Sequence, residues 1–344
     1  MLKLTVAVPI YNAEENIERA IKSCSHINLD KSEYEILVVD NCSTDNSMKM
    51  VEKLKEEIFE NIVIYKNKDN IGRVRNWNRC LELARGKYLI FLFGSDEINN
   101  NVDIKQYLYE LDKESEISLY KHEVIFDNKN EIEDEILSNK LGQKVVLSEF
   151  IENNFIKKCN YCCFGILQQH IYRTDVIRKN NIRFDEKIPR TTDRVFIFEV
   201  INSGNKKFLY NKTPLSIWHI SNNRFHNKVH NKIYKEQIKE DMDILWGNEV
   251  IANKYILKKY GYSDESINYT FYKHYSDLKI IKFKKIILRE TFEKEILTVN
   301  YYKNYLDEIS NIKKIIIYIQ RCFNMFNNKM AKVLKVKKWG TEIC

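Results

Sequence analysis

The sequence of 344 residues contains few of the residues that break regular structure, with three prolines and nine glycines. The prolines stand at positions 9, 189 and 214, so no proline interrupts a helix in the rest of the chain. Long apolar runs are missing as well. A run such as Ile315 to Ile319 is much shorter than the roughly 20 residues that a membrane-spanning helix needs. We therefore expect no transmembrane segment.

A regular cysteine framework is also missing, although the chain has eight cysteines. Cys159, Cys162 and Cys163 form a C-x-x-C-C cluster without the second pair that a structural zinc site would need, so thiols are favoured over a metal site. No cleavable signal sequence is recognisable, and we expect a cytoplasmic protein. The composition, with 44% hydrophobic and 30% charged residues, is that of a globular chain.

Acidic residues are missing between Glu308 and Glu342, while the net charge of the whole chain is +8. This tail carries eight basic residues interleaved with apolar ones: Lys313, Lys314, Arg321, Lys329, Lys332, Lys335, Lys337 and Lys338. Two interpretations are open. The tail forms an amphipathic helix in a membrane interface, or a helix that packs on its own domain with a solvated basic face.

The first hundred residues alternate short apolar runs with helical patterns, which predicts parallel strands joined by crossover helices. Strands are expected at 4–10, 34–39 and 62–65, and a fourth in the apolar part of 86–97. Asn12 is expected to cap the first helix, and Asp45 the second. Polar residues follow each strand, and because parallel strands end at one edge of a sheet, they should gather there. They are Tyr11, Asn12, Asp40, Asn41, Ser43, Asn70 and Asp96.

Four motifs occur in order along this region: Val-Pro-Ile-Tyr-Asn at 8–12, Val-Val-Asp-Asn-Cys-Ser-Thr-Asp at 38–45, Asn-Ile-Gly at 70–72 followed by Arg75 and Asn76, and the stretch 86–97. Together they resemble family 2 glycosyltransferases of GT-A fold. Looser similarity extends through 172–177, 192–194 and 214–219, so the resemblance covers about 1–225. It implies a Rossmann-like α/β fold with a mixed, mainly parallel sheet flanked by helices.

The resemblance also implies a nucleotide-sugar donor, most simply a UDP-sugar. Pro9, Tyr11 and Asn12 would surround the base, and Asp40 would accept hydrogen bonds from base or ribose. For Asp40 an ordinary turn role is the alternative, and for Ser43 a helix cap. Arg75 would contact the diphosphate, with a solvated side chain as the alternative. The remaining expected donor-binding residues are Asn41, Ser43, Asn70, Gly72, Ser95 and Asp96.

Family members end the fourth strand in an Asp-x-Asp signature whose last carboxylate contacts a divalent cation. Here the segment is Gly94-Ser-Asp-Glu97, so a glycine replaces the first aspartate, as in bacterial surface-polysaccharide transferases with a Gly-Ser-Asp-Asp-like motif. Mn²⁺ or Mg²⁺ is expected at Asp96, with Glu97 and His219 as further candidate ligands. Asp96 as a simple cap, Glu97 as an acid behind the ligands and His219 as a structural histidine are the alternatives.

Inverting members of the family use a carboxylate of the second half as general base, and Asp193 matches it. The residues after Asp193 have helical spacing, so it is also expected at a helix N-terminus, which is compatible with catalysis. Residues 226–344 are expected to form a helical extension with helices at 233–245, 250–260 and 267–292, ending in the basic tail.

The chain is therefore interpreted as an inverting glycosyltransferase of bacterial surface-glycan assembly, such as capsule or lipopolysaccharide. It would act at the cytoplasmic face of the membrane on a glycan or lipid-linked acceptor. A sugar nucleotidyltransferase is an alternative, but it would need a glycine-rich basic loop after the first strand, where the chain is acidic. A non-catalytic nucleotide-sugar-binding or scaffold protein is another, because the first aspartate is missing. A nucleic-acid partner is not expected, since no recognition motif accompanies the basic cluster.

Overall fold

A computed structural model describes residues 2–58, 60–126, 142–157, 164–187, 191–219, 252–253 and 255–263. The chain divides into two compact units, one of residues 1–153 with 164–239 and one of residues 154–163 with 240–344. The expected domain boundary after residue 225 lies outside the described residues and stays a prediction.

The first half of the chain builds one side of a sheet from four parallel strands and the helices between them. Each helix begins soon after the strand before it ends, which is the expected alternation of strand and crossover helix. The elements are β1 (Leu4–Ile10), α1 (Ile17–Ser23), β2 (Tyr34–Asp40), α2 (Ser47–Glu57), β3 (Ile62–Lys66), α3 (Arg73–Leu83) and β4 (Tyr88–Phe91).

The second half extends the same sheet with shorter, mixed strands. Its elements are β5 (Glu97–Ile98), α4 (Ile104–Lys113), β6 (Leu119–Phe126), β7 (Gln143–Val146), α5 (Leu147–Phe150), β8 (His170–Arg173), α6 (Thr174–Lys179), α7 (Thr192–Ser203) and β9 (Lys207–Trp218). A π-helical segment, Ile151–Lys157, follows α5.

In the described part of the chain the sheet has nine strands in the order β3-β2-β1-β4-β8-β6-β9-β5, with β7 pairing to β9. The strands β1, β2, β3, β4, β6 and β9 run in one direction, and β5, β7 and β8 run in the other. The expectation of a mixed, mainly parallel sheet with flanking helices is therefore confirmed. The strand order reverses between β1 and β4, which is where open α/β sheets place their ligands.

Strands β1 and β2 are buried along their whole length, which explains their continuous apolar sequences. Pro9 is tolerated within β1 because its missing N–H would point towards β4. That ladder already ends at the pair Ala7–Phe91, after which the Leu92 N–H donates to the Ala7 carbonyl. The strands β1 and β4 thus stop pairing before β1 ends.

The described part of the second unit includes helical residues at 252–253 and 255–259, within the helix expected at 250–260. The helices expected at 233–245 and 267–292, the basic tail and the three clustered cysteines at 159, 162 and 163 lie outside the described residues. Among the residues that the structure describes, no helix combines the length and apolar character needed to cross a membrane.

Candidate functional site

The loops that follow β1 and β2 are joined by reciprocal hydrogen bonds at the carboxyl edge of the sheet. The Asn12 N–H donates to Ser43 Oγ over 2.9 Å, and the Thr44 N–H donates to Asn12 Oδ1 over 2.9 Å. Asn12 has a φ of 49°, in the left-handed region that asparagine tolerates. The prediction that Asn12 caps α1 is wrong, because α1 begins after Asn16 and the Asn12 side chain holds the second loop instead.

A second pair of reciprocal bonds continues this join. The Glu14 N–H donates to Asp45 Oδ2 over 3.0 Å, and the Asn46 N–H donates to Glu14 Oε2 over 2.8 Å. Asp45 Oδ1 also accepts from the N–H of Ser47, the first residue of α2. Asp45 therefore binds the N-terminus of α2 from one position before the cap residue, and the two loops form a single structural piece.

Asp40, at the end of β2, is fully buried beneath this piece. Its Oδ1 accepts from the Ser43 hydroxyl over 2.5 Å, and both of its oxygens accept from the Ser43 N–H. Lys66, the residue opposite in β3, places its ammonium 4.0 Å from Asp40 Oδ2. Asp40 therefore fixes the loop that would carry a donor base, with Tyr11 beside that loop, 49% exposed.

A cluster of four asparagines holds the turn between β3 and α3, and Asn41 lies at its centre. Asn41 Nδ2 donates to Asn70 Oδ1 over 2.7 Å, and Asn41 Oδ1 accepts from the Ile71 N–H over 3.0 Å. Asn67 donates to both Asn41 and Asn76, and Asn76 donates to the Val39 carbonyl. Gly72 follows with a φ of 84°, a conformation that glycine adopts without strain, and α3 begins at the next residue.

The turn after β4 delivers Asp96 to the same edge of the sheet. Asp96 is fully buried; its Oδ2 accepts from Gln168 Nε2 over 3.0 Å and its Oδ1 from the Ser95 hydroxyl over 3.0 Å. A Cβ added to Gly94 would lie 3.1 Å from the Cβ of Ala13, closer than carbon atoms ordinarily pack. The glycine in place of the first aspartate of the motif thus lies tightly against the loop after β1.

Glu97 and His219 contact each other, because Glu97 in β5 pairs with Ile217 in β9 and His219 lies two residues further on the same face. The imidazole Nε2 of His219 hydrogen-bonds to Glu97 Oε1. Arg19 in α1 reaches the same oxygen, with its Nε 3.2 Å away. The two expected metal ligands are therefore engaged with each other and with an arginine.

Asp193 is the second residue of α7, whose N-cap is Thr191, so the expected helix N-terminus is present. Burial raises the pKa of the Asp193 carboxyl above its ordinary value, while the positive charges of Arg194 and Arg73 offset part of that effect. Asp193 in turn adds to the rise in the pKa of the buried Tyr172 hydroxyl, whose main cause is burial. A carboxylate with a raised pKa holds a proton more readily, which suits a general base.

Arg73, rather than Arg75, is the arginine of α3 that acts on Asp193. Arg75 donates to Glu186 over 2.7 Å and is exposed. The Arg73 guanidinium lies 4.9 Å from the ring centre of Trp77, whose ring packs against Phe93, the residue before Gly94. The ring of Trp77 therefore connects the positive charge at the start of α3 to the residue before Gly94.

A family model described as glycosyl transferase family 2 matches residues 5–179, about half of the chain. The chain belongs to this family. The match contains both donor loops, the asparagine cluster and Asp96, while Asp193 and His219 lie beyond its end. The family-2 resemblance found in the sequence motifs is thus confirmed.

Curated relatives of this family-2 chain include enzymes named for poly(ribitol phosphate). The poly(ribitol-phosphate) β-glucosyltransferase of Bacillus spizizenii is 26% identical over 208 residues, which are 60% of this chain and 30% of the relative. The poly(ribitol-phosphate) β-N-acetylglucosaminyltransferase TarS of Staphylococcus aureus is 25% identical over 60% of this chain and 34% of its own length. The matched segment therefore spans about a third of these relatives. The Escherichia coli glycosyltransferase YibD, itself uncharacterised, is 24% identical over 90% of this chain and 89% of its own.

Among solved structures, residues 1–349 of S. aureus TarS in complex with UDP-GlcNAc superpose with a TM-score of 0.57 at 20% identity. The superposition covers 83% of this family-2 chain and 81% of the TarS chain. The same TarS fragment in complex with UDP gives a TM-score of 0.56 at 20% identity. At this identity the likeness establishes the fold, and the expected GT-A architecture is confirmed.

Family-2 enzymes of this fold commonly use a divalent cation, and the residues at the expected site fit it incompletely. Carboxylate and imidazole are suitable ligands for Mn²⁺. Yet within the described ranges no three histidine, cysteine, aspartate or glutamate side chains converge closely enough to hold a metal ion. Asp96 hydrogen-bonds to Gln168, and Glu97 contacts His219 and Arg19. The assignment of Asp96, Glu97 and His219 as ligands stays a prediction.

Four residues that the fold brings to this family-2 site were not expected there from the sequence. They are Arg19, Asn67, Arg73 and Gln168. Arg73 follows directly after the Asn-Ile-Gly motif, so its position at the start of α3 was a usable signal. Arg19 and Gln168 carry no such signal, because each approaches the Asp96 turn from an element far away in sequence.

Proposed function

We propose that the chain is an inverting glycosyltransferase that moves a sugar from a UDP-sugar to a hydroxyl of a cell-surface polymer. Membership of family 2 supports the reaction type. The TarS structures with UDP and UDP-GlcNAc support the donor, and the names of the relatives make poly(ribitol phosphate) the first acceptor to test. The observation that carries the proposal is Asp193, held at the start of α7 with a pKa raised by burial.

In this proposal Asp193 accepts the proton of the acceptor hydroxyl. The hydroxyl oxygen forms the new bond to the anomeric carbon while the bond from that carbon to the diphosphate oxygen breaks on the opposite face, which inverts the configuration. The partly buried carboxylate is a stronger base than a solvated aspartate, because desolvation disfavours its charged form. Arg73 lies close enough to lower the pKa of Asp193, and it adds positive charge where the diphosphate departs.

The joined loops after β1 and β2 would bind the nucleoside. Tyr11 offers an exposed aromatic face for the base, and Asn12, Asp40 and Ser43 keep the loop in shape. A divalent cation, where bound, would neutralise charge on the diphosphate, with Asp96 as its first ligand. Asn41 and Asn70 act in this proposal by holding the turn before Gly72 and Arg73.

The setting of the reaction is part of the proposal. The chain would work in the cytoplasm at the inner face of the membrane, with residues 226–344 as a helical extension whose basic tail contacts anionic lipid. A lipid-linked form of the polymer would then be presented to the site. Vesicle sedimentation with and without anionic lipid, on the full chain and on a chain lacking residues 308–344, tests this contact. Equal sedimentation of the two forms would remove it.

The experiment that tests the reaction incubates the purified chain with a panel of UDP-, GDP- and CDP-sugars and a ribitol-phosphate oligomer, with Mn²⁺, with Mg²⁺ or with a chelator. Released nucleotide and the anomeric configuration of the product are measured. Asp193→Asn should slow transfer by about 10²–10⁴-fold, the usual contribution of a general base. Asp175→Asn is the matched control, since Asp175 is an exposed aspartate in the first turn of another helix, α6.

Three outcomes separate the alternatives. Transfer that depends on Asp193 and inverts the anomeric centre supports the proposal. Retained transfer in Asp193→Asn, or a retained configuration, would show that another mechanism operates. Nucleotide binding without turnover of any donor would favour a non-catalytic nucleotide-sugar-binding protein.

A further inference from the structure

Arg19 is a partly exposed arginine whose side chain contacts the turn that carries Asp96. It lies on α1, away from every family motif, and its side chain is 42% exposed. Its Nη2 donates to the Ser95 carbonyl over 3.0 Å and to Asn16 Oδ1 over 3.3 Å, while its Nε lies 3.2 Å from Glu97 Oε1. One guanidinium therefore holds the backbone just before Asp96 and the side chain just after it.

The contact to Glu97 extends to His219. Glu97 Oε1 is shared by the Arg19 guanidinium and the His219 imidazole, and Glu97 and His219 are largely buried, with 22% and 16% of their side chains exposed. An arginine is suited to this task, because its planar fork can donate to two acceptors at fixed angles, whereas a lysine is a single flexible point charge. One carboxylate oxygen thus links His219 to a residue of α1.

We propose that Arg19 is a positioning residue of the donor site, which orients the Ser95–Asp96 turn directly and the His219 imidazole through Glu97. The proposal rests on the proposed function, since the site that it orders is the one assigned to the donor diphosphate. In a chain whose motif has Gly94 in place of the first aspartate, the link of Arg19, Glu97 and His219 adds to the hydrogen bonds that Ser95 and Gln168 donate to Asp96.

The stability of the fold should depend little on Arg19. An ion pair with a partly exposed arginine contributes little to stability, because solvent screens it. The substitution Arg19→Gln is therefore expected to leave the melting temperature of the nucleotide-free protein nearly unchanged. The effect should appear in nucleotide binding, which a merely structural role would not alter separately from stability.

The test measures the dissociation constant of UDP by calorimetry, and the KM and kcat of donor hydrolysis, on the full chain and its variants. We expect Arg19→Gln to weaken UDP about tenfold, and Arg19→Lys to lie between the two, since lysine keeps the charge but not the fork. Arg183→Gln is the matched control, since Arg183 is 43% exposed and also lies near a carboxylate, Glu82 at 4.0 Å. In a His219→Gln background, Arg19→Gln should have a smaller effect than it has alone.

The results separate the positioning role of Arg19, the link through Glu97 and the proposed function. Wild-type affinity in Arg19→Gln, or an equal loss in Arg183→Gln, would overturn the positioning role while leaving the proposed function intact. Equal effects of Arg19→Gln with and without His219 would overturn the link through Glu97. If wild-type protein binds no nucleoside diphosphate, the proposed function fails, and the positioning role fails with it.

Discussion

Replacing Asn41 by alanine tests whether the asparagine cluster supports the site or contacts the donor. Asn41 is 3% exposed, and its side chain takes part in three hydrogen bonds. The substitution removes the Asn41 side chain as the partner of the Ile71 N–H, of Asn67 Nδ2 and of Asn70 Oδ1. The backbone N–H of Asn41, which donates to the Ile10 carbonyl, is unaffected.

The expected loss follows from these three bonds. A typical intramolecular hydrogen bond contributes about 0.5–1.5 kcal/mol net, and a buried group left unsatisfied costs about 1–3 kcal/mol. Asn70 is exposed, so water can replace the lost partner of its Oδ1, and the cost there is about 0.5–1.5 kcal/mol. We therefore expect Asn41→Ala to lower the free energy of unfolding by about 2–4 kcal/mol.

The measurements are urea denaturation and hydrogen exchange of a peptide that covers 66–78. Asn61→Ala is the control, since Asn61 donates one hydrogen bond, to the Tyr34 carbonyl at the opposite end of β2, and its own Oδ1 has no hydrogen-bond partner in the described structure. It should cost about 1 kcal/mol or less. A similar loss in both variants would refute the supporting role. A loss of UDP binding with unchanged stability would instead make Asn41 a donor contact.

Three further predictions concern pH and packing. Because burial raises the pKa of Asp193, the acidic limb of the kcat/KM profile should lie at a higher pH than an ordinary aspartate would give. Arg73→Met should move this limb to still higher pH, since it removes a positive charge that lowers the pKa of Asp193; an unchanged pH–rate profile in Arg73→Met would contradict this. Gly94→Ala should lower the free energy of unfolding by about 1–3 kcal/mol, because its Cβ would lie 3.1 Å from the Cβ of Ala13. Ala13→Gly should recover part of this loss in a double-mutant cycle of thermal melts, whereas additive losses would exclude the contact. Burial lowers the pKa of His122 to about 3, so the unfolded chain takes up this proton at a higher pH than the folded chain, and the free energy of unfolding should fall as the pH drops from about 6.5 towards 3. His122→Phe should make this fall shallower in urea titrations at a series of pH values; an unchanged pH dependence would show that other groups cause it.

The strands and donor loops could be predicted because their signals are local. The runs at β1, β2 and β3 are apolar and end in polar residues, and the structure reproduces their bounds to within one residue. The family motifs lie on the same segments, so both kinds of reasoning agreed. Asn12 was misjudged because a helix cap and a bond to a neighbouring loop require the same side-chain oxygen.

The partners of the site residues could not be predicted, because they depend on contacts between distant segments. Glu97 and His219 were each named as candidate ligands, but only the pairing of β5 with β9 shows that they bind each other. Arg75 was a candidate for a diphosphate contact or a solvated side chain; in the structure it pairs with Glu186, while Arg73, two positions earlier, lies over Trp77. A difference of two positions on a helix changes the direction of a side chain by about 200°.

The family, the order of strands and helices in the first half, and the residues at the carboxyl edge of the sheet could all be predicted from the sequence. Motifs and hydrophobic periodicity are properties of contiguous residues, so they can be recognised without the fold. The contacts that those residues make depend on the fold. The fold buries Asp40 and Asp96, joins Asn41 and Asn70 by a hydrogen bond in the turn before α3, and brings Arg19 into contact with Glu97. The burial, the charged neighbours and the hydrogen-bond partners of a residue are set by segments that meet only in the folded protein. No pattern within one segment encodes these contacts.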